Sequence, residues 1–181
     1  GEFRNMLLFS ALLVGILLVT RQWRQAIFAG STLLCTALAN TLTKHFFARV
    51  RPEVLSEPLT TFSMPSGHAS GSFALFLTLA VLAGRGQPPR MRLTWLLLGC
   101  LPALAISVSR VYLGAHWPTD VLAGAMLAAC VCAASLWFSQ RQTSLSALPP
   151  KVWWIVLPAL VGLLGLFVLR HLPQTMLRYA Y

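Results

Sequence analysis

Two histidines and one aspartate are spaced as a reactive imidazole, its orienting carboxylate and an acid would be. His116 and Asp120 are four residues apart, and Pro118 suits the first position of a helix, so both side chains can lie on one helix face. Asp120 can then accept a hydrogen bond from one ring nitrogen and leave the other as a lone pair, as in a nucleophilic imidazole. His68 can supply the proton that a leaving oxygen needs.

A second group of residues is suited to holding a phosphate. Lys44, Arg51 and Arg110 fall on one predicted membrane face, where several cations are unfavourable together unless they share an anion with more than one charge. Arginine binds phosphate through a bidentate fork and lysine binds it as a point charge. A helix that begins at Ser66-Gly67 directs free N–H groups and a positive dipole end at the same anion. Together the two groups predict two-step phosphoryl transfer through a phosphohistidine, without a metal ion or a cofactor.

The same residues form three sequence motifs. K-x6-R-P lies at residues 44–52, P-S-G-H at 65–68 and S-R-x5-H-x3-D at 109–120. At these motifs the chain resembles the type 2 phosphatidic acid phosphatases, a superfamily that includes bacterial lipid phosphatases, glucose-6-phosphatase and the vanadium haloperoxidases. The motifs match without a departure and in the family's order, and the resemblance spans about residues 26–139.

The resemblance implies a role for each motif residue. It implies that His116 is the nucleophile, that Asp120 orients it, and that His68 is the acid. It also implies a set of phosphate-binding residues, namely Lys44, Arg51, Ser66, Gly67 and Arg110. Family members of this kind usually need no metal, so no metal ligand is expected.

The composition indicates that a lipid bilayer surrounds these residues. Of the 181 residues, 57% are hydrophobic and only 10% are charged, whereas an average soluble domain has about 25% charged residues. So little polar surface cannot cover a globule in water, which leaves a polytopic membrane protein. The net charge of +10 does not indicate a nucleic-acid partner, because most basic residues lie singly or in pairs between apolar runs.

Six apolar runs predict an all-α bundle of about six transmembrane helices. They cover about residues 5–20, 26–46, 67–84, 93–109, 118–139 and 152–170. All six tryptophans fall at or near the ends of these runs, where an amphipathic ring lies at the headgroup level. Every motif residue then falls at a helix end on one membrane face, so the motifs are expected to converge.

The loops predict the orientation of the bundle. One face receives no acid and seven cations, which are Arg21, Arg24, Arg85, Arg90, Arg92, Arg141 and Lys151. The positive-inside rule makes that face cytoplasmic. The other face receives the motifs and all four acids, Glu2, Glu53, Glu57 and Asp120. The site is therefore expected to face the periplasm from a bacterial inner membrane. Arg49 fits no motif position and is interpreted as a lipid-headgroup contact.

The chain is predicted to be a single membrane domain over residues 4–181. Gly1, Glu2 and Phe3 are interpreted as a cloning remnant. Fewer helices precede the first motif than in bacterial membrane members of the family, so the domain is expected to come from a longer chain with an additional membrane domain. The polar segment 53–64 is either a lid or a linker. Gly71 and Gly124 are expected to let helices pack closely.

The sequence thus predicts an integral-membrane lipid phosphatase that acts on a lipid phosphate or pyrophosphate. Undecaprenyl pyrophosphate, phosphatidylglycerol phosphate, phosphatidic acid and a lipid A phosphate all fit. One alternative is a phosphotransferase, which would pass the phosphoryl group to a second lipid. Another is a phosphate-binding transporter or scaffold, which would use the cations but would give no role to the histidines.

Overall fold

A computed structural model describes the backbone of residues 2–52, 61–141 and 143–179, and the side chains of residues 6–52, 61–141 and 143–170. Gly1, the side chains of Glu2 and Phe3, and residues 53–60 of the predicted lid or linker lie outside it. The described residues form six helices and no strand. The helices are α1 (Glu2–Val19), α2 (Trp23–Phe47), α3 (Gly67–Gly84), α4 (Pro89–Tyr112), α5 (Pro118–Ser139) and α6 (Pro150–Tyr179). The all-α prediction is confirmed.

Five of the helices can cross a membrane by their length and composition. They are α2, α3, α4, α5 and the part of α6 at Pro150–Arg170, whereas the apolar part of α1, Met6–Val19, is shorter. Large apolar side chains cover the outside of the bundle. On α4, for example, Leu97, Leu98 and Leu101 are all exposed. These observations make the chain a multi-span membrane protein.

Helix α3 is the centre of the bundle and packs against α1, α2, α4 and α5. In its apolar window 56% of the residues are buried, against 11% in α4 and 17% in α5. Glycines allow this close approach. A Cβ on Gly99 of α4 would lie 2.9 Å from the carbonyl oxygen of Phe76, and one on Gly124 of α5 would lie 2.7 Å from that of Ser66. The close packing expected at Gly124 is therefore confirmed.

The bundle end remote from the motifs is closed by the connection between α5 and α6. The guanidinium of Arg24 donates hydrogen bonds to the carbonyl oxygens of Thr143 and Ser144. From the end of α3, Arg85 Nε donates to the carbonyl of Leu145 at 2.9 Å. Cations of the predicted cytoplasmic face thus also tie this connection to the helices beside it.

Candidate active site

Four helix ends meet at the other end of the bundle, because α2 and α4 end there and α3 and α5 begin there. After α2 the chain reverses at Ala48, which has a φ of 44° and donates its N–H to the carbonyl of Lys44. Between α4 and α5, Gly114 has a φ of 66°, a conformation that favours glycine. These two turns bring together the segments that follow them. The segment after Ala48 contains Arg51, and the segment after Gly114 contains His116.

A cavity of about 430 Å³ opens between these helix ends. Five of the eight residues predicted for the site line it, namely Lys44, Arg51, Gly67, His68 and His116. Because Gly67 and His68 are the first two residues of α3, the positive end of that helix dipole faces the cavity. Residues that are far apart in sequence therefore lie around one space, as the motifs predicted.

Ser66 and Asp120 lie behind the cavity wall and are fully buried. Ser66 is the N-cap of α3, since its hydroxyl accepts a hydrogen bond from the Ala69 N–H at 3.4 Å. Its own N–H donates to the carbonyl oxygen of Asp120 at 2.9 Å. This backbone bond joins the start of α3 to the first turn of α5. A direct contact of the Ser66 hydroxyl with phosphate stays a prediction.

Arg110 lies in the last turn of α4. Its Nε donates to the hydroxyl of the neighbouring Ser109 at 3.3 Å. Among the residues that the structure describes, those lining the cavity do not include Arg110. Its contact with phosphate therefore also stays a prediction.

The His116 ring has one tautomer that its neighbours favour. Its Nε2 lies 3.2 Å from Nη1 of Arg51. Because a guanidinium only donates hydrogen bonds, Nε2 must present its lone pair, and the ring proton belongs on Nδ1. Nδ1 lies 3.6 Å from Oδ2 of Asp120, longer than a hydrogen bond but close enough for electrostatic attraction. The nitrogen that faces Arg51 is thus the one that could attack an electrophile.

The surroundings of His116 keep its ring neutral. The residue is only 4% exposed. Burial, followed by the charges of Arg51 and Lys44, lowers the pKa of His116 from 6.5 to about 4, against the opposing effect of Asp120. A neutral imidazole at neutral pH is the form that nucleophilic attack requires.

Backbone oxygens hold the two cations of the first motif. Lys44 Nζ donates to the carbonyl of Phe62 at 2.6 Å. Arg51 donates to the carbonyl oxygens of Thr61 and Ala115, each at 2.8 Å. Lys44 therefore keeps two of its three N–H donors for an anion in the cavity. Arg51 also contacts His116 through Nη1 and the Thr61 hydroxyl through Nη2, so it keeps one of its five.

Arg49 has protein contacts that the sequence interpretation missed. Its Nη1 lies 2.9 Å from Oδ1 of Asp120 and 2.6 Å from the hydroxyl of Thr119. The side chain is 35% exposed, so the expected contact with lipid headgroups stays a prediction. Its guanidinium also lies 5.4 Å from the centre of the Trp117 ring.

The spacing of Arg49 and Arg51 was a sequence signal for this pairing. Residues two positions apart in an extended segment point to the same side and are about 6.6 Å apart along the chain. This spacing is close to the rise of one helical turn, which separates two residues four positions apart on a helix face. Arg49 and Arg51 could therefore have been matched to Asp120 and His116.

Asn40 is a second residue that the sequence analysis missed. It lines the cavity one helical turn before Lys44, and its Nδ2 donates to the hydroxyl of Ser70 at 3.0 Å. This bond fixes the first turns of α3 against α2. A buried amide within an apolar run was the available signal.

The sequence of the chain is similar to those of known proteins. A family model described as the PAP2 superfamily matches residues 24–144. An undecaprenyl-diphosphatase of Sulfolobus acidocaldarius is 43% identical over 86 residues, which cover 45% of this chain and 36% of the relative. A phosphatidylglycerophosphatase B of Bacillus subtilis is 33% identical over 93 residues, which cover 48% of this chain and 44% of the relative. The chain thus spans less than half the length of these two curated relatives.

The fold is also similar to a solved structure. The crystal structure of a transmembrane PAP2-type phosphatidylglycerolphosphate phosphatase from Bacillus subtilis matches with a TM-score of 0.62 at 23% sequence identity. The match covers 76% of this chain and 68% of that chain. At this identity the likeness concerns the arrangement of the helices.

Proposed function

The chain belongs to the PAP2 superfamily, and we propose that it is an integral-membrane phosphatase that removes a phosphate from a lipid phosphate or pyrophosphate. One observation carries the proposal. The nearly buried ring of His116 lines a cavity that is also lined by Arg51, Lys44 and the start of α3, and its Nε2 is on the side of Arg51. A neutral nucleophile among cations is suited to an anionic electrophile, and phosphate is the anion that these donors fit.

The proposed reaction has two steps. In the first, the Nε2 lone pair of His116 attacks phosphorus, the N–P bond forms, and the P–O bond to the leaving group breaks. His68, on the first turn of α3, gives a proton to the leaving oxygen. In the second step, His68 accepts a proton from water as its oxygen attacks phosphorus, and the N–P bond breaks to release phosphate.

The other site residues stabilise the charges that these steps create. Lys44, Arg51 and Arg110 are proposed to hold the phosphate oxygens, with the Ser66 hydroxyl and the N–H of Gly67 completing the cradle. Asp120 is proposed to stabilise the positive charge that His116 gains when the N–P bond forms. The 3.6 Å separation of these two side chains is the kind of distance that shortens once substrate is bound.

An apolar groove supports a lipid as the substrate. A second cavity, of about 380 Å³, lies between α1, α2 and α3 and shares Met6, Asn40 and Gly67 with the first. Most of its remaining lining is apolar, including Leu7, Val14, Leu33, Leu34, Ala37 and Ala74. A hydrocarbon chain attached to a bound phosphate would continue directly into this groove. The relatives' names point to a polyprenyl diphosphate and to a glycerophospholipid phosphate, and both substrates have such a chain.

We further propose that the protein lies in a bacterial inner membrane with this site facing the periplasm. The site end contains Asp120, whereas the remote end contains Arg24, Arg85 and Lys151 with no acid among the described side chains. The positive-inside rule places such an end in the cytoplasm.

The test of the proposed function is phosphate release from a panel of lipid phosphates and pyrophosphates in detergent. His116→Ala should abolish turnover, whereas His45→Ala, which removes a cavity histidine outside the motifs, should keep measurable turnover. Substrate labelled at the phosphoryl group should leave an acid-labile label on the wild-type protein and none on His116→Ala. Normal turnover by His116→Ala would refute the proposal. EDTA should not reduce activity, because side chains supply the positive charge.

A further inference from the structure

We propose that Arg49 is a positioning residue for the nucleophile, holding the carboxylate of Asp120 in place behind the ring of His116. The inference rests on the proposed function, because it assumes that His116 attacks phosphorus. It goes further in naming a residue outside the three motifs on which that attack depends.

The contacts of Asp120 carry the inference. Its carboxylate is fully buried and is held from two sides, with Oδ1 accepting from Arg49 Nη1 and Oδ2 from the backbone N–H of Trp117, both at 2.9 Å. Oδ2 is also the atom nearest to His116 Nδ1. The two bonds therefore fix the rotation of the carboxylate and with it the oxygen that faces the ring.

Arg49 is itself held in position by its neighbours. Its guanidinium donates to Thr119 and stacks over the ring of Trp117. Its carbonyl oxygen accepts from the N–H of Ser63, and the next carbonyl, of Val50, accepts from the indole Nε1 of Trp117. The segment after α2 is thus attached to the start of α5, so Arg49 has a fixed base from which to hold Asp120.

A buried carboxylate needs such a partner. An uncompensated charge removed from water is costly, and removing one partner of a buried pair is strongly destabilising. Lys44 and Arg51 also attract Asp120. Those two cations line the cavity, whereas Arg49 is not among the described residues that line it. Arg49 can therefore neutralise Asp120 while the other two cations remain available for phosphate.

The position of Arg49 has a consequence for the protonation of the site. The charged and titratable groups around the pair are Arg49 on the Asp120 side, and Arg51, Lys44 and His68 on the His116 side, together with the positive start of α5. Asp120 is the neighbour that raises the pKa of His116 against burial and the two cations, and Arg49 partly neutralises the charge of Asp120. Removing Arg49 therefore strengthens the attraction of Asp120 for a proton on His116 and raises the pKa of that ring.

The experiment compares Arg49→Gln, Arg49→Lys and Arg51→Gln with wild type, using phosphatidic acid with two eight-carbon chains in detergent. We expect Arg49→Gln to lower kcat about 10- to 100-fold, as loss of a group that orients a reactive side chain does. In the profile of kcat/KM against pH, activity falls on the acidic side because His116 becomes protonated. In Arg49→Gln this acidic limb should move to higher pH by about 1 unit or more. Arg49→Lys keeps the charge and should leave that limb unmoved.

A binding measurement separates positioning from phosphate contact. Inhibition by inorganic phosphate, which can occupy the site without a bond to His116, should be unchanged in Arg49→Gln, because Arg49 is not among the described residues that line the cavity, and should weaken in Arg51→Gln. If the acidic limb does not move in Arg49→Gln, Arg49 has only a structural role and the inference is overturned. Weakened inhibition by inorganic phosphate in Arg49→Gln would also overturn it, by making Arg49 a phosphate ligand.

A double mutant covers the case in which Arg49→Gln folds poorly. In an Asp120→Asn background the carboxylate charge is absent, so adding Arg49→Gln should cost no further activity. A further loss as large as in the wild-type background would refute the inference. Its failure is distinguishable from failure of the proposed function, because only the latter would give an active His116→Ala.

Discussion

His116 is a residue whose chemistry depends on burial more than on its motif. A histidine in water is half protonated near pH 6.5, and a protonated ring has no lone pair to offer phosphorus. Here burial and the nearby Arg51 and Lys44 lower the pKa of His116 to about 4. The cations that would bind phosphate thus also keep the proposed nucleophile neutral. One arrangement of charge serves both needs.

The lowered pKa of His116 predicts how stability depends on pH. As the pH falls from 6.5 towards 4, the unfolded chain takes up a proton on this histidine before the folded chain does, so folding becomes less favourable. Well above pH 6.5 this histidine is neutral in both the folded and the unfolded chain, so it no longer makes stability depend on pH. The loss is at most about 3 kcal/mol by pH 4.

The measurement is Tm in detergent between pH 7 and pH 4.5 for wild type and His116→Gln. The variant lacks this titration, so its Tm should fall less steeply across that window. Parallel curves for the two proteins would show that the ring is not held neutral in the folded state.

At the scale of single helices, the predicted runs agree with the structure because local signals define them. Pro89, Pro118 and Pro150 are the first residues of α4, α5 and α6, as expected of a residue that suits the first helical turn. The pairing of Arg49 with Asp120 had no local signal, because 71 residues separate the partners. The only indication was that Arg49 and Arg51 are spaced like Asp120 and His116. That match is seen only when the segment after α2 and the start of α5 are considered together.

The contact between α3 and α5 predicts that Gly124 tolerates no side chain. A Cβ there would lie 2.7 Å from the carbonyl oxygen of Ser66 and 3.1 Å from the backbone nitrogen of Ser70. Backbone atoms cannot swing aside, so Gly124→Ala must push α5 away from the start of α3. The bond from the Ser66 N–H to the Asp120 carbonyl lies in the same contact.

We therefore expect Gly124→Ala to lower both Tm and kcat, with a stability loss of about 1–3 kcal/mol as for other overpacked sites. Gly15→Ala, at a glycine with no heavy atom within 4 Å of the added Cβ, is the matched control and should lower neither. Wild-type activity in Gly124→Ala would mean that the relative position of α3 and α5 does not matter to the site.

The groove between α1, α2 and α3 predicts a dependence on lipid chain length. Gly30 lines it 14 residues before Lys44, which places it about 21 Å along the helix from the site end. The nearest atom to an added Cβ is a methyl carbon of Val14 at 3.9 Å, so a larger residue fits and fills the groove. Gly30→Leu should therefore lower kcat/KM for long-chain phosphatidic acid.

We expect a loss of about tenfold, or 1.4 kcal/mol, for substrate with two 18-carbon chains and no loss for substrate with two six-carbon chains, which do not reach Gly30. Gly15→Leu makes the same change outside the residues that line the groove and should affect neither substrate. Equal losses for both chain lengths in Gly30→Leu would indicate damage to the fold rather than a blocked groove.

At the scale of the whole molecule, the proposed catalytic residues lie at one end of the bundle and the basic residues of the predicted cytoplasmic face lie at the other. The cavity with His116 is at one end, whereas Arg24 and Arg85 hold the connection between α5 and α6 at the other. Basic residues at a membrane surface favour the cytoplasmic side, where anionic lipids and the positive-inside rule act in the same direction. If that end is cytoplasmic, the proposed phosphatase acts on lipids at the outer surface of the membrane.

Labelling of cysteines introduced at the two ends tests this orientation. Val50 beside the site and Gln87 in the turn between α3 and α4 both have exposed side chains, so Val50→Cys and Gln87→Cys should each react with a water-soluble maleimide. The native Cys35, Cys100, Cys130 and Cys132 lie within apolar helices, where the reactive thiolate is disfavoured. In spheroplasts, a membrane-impermeant maleimide should label Val50→Cys at once and Gln87→Cys only after permeabilisation. The reverse order would put the site in the cytoplasm, because labelling before permeabilisation requires exposure on the outer side.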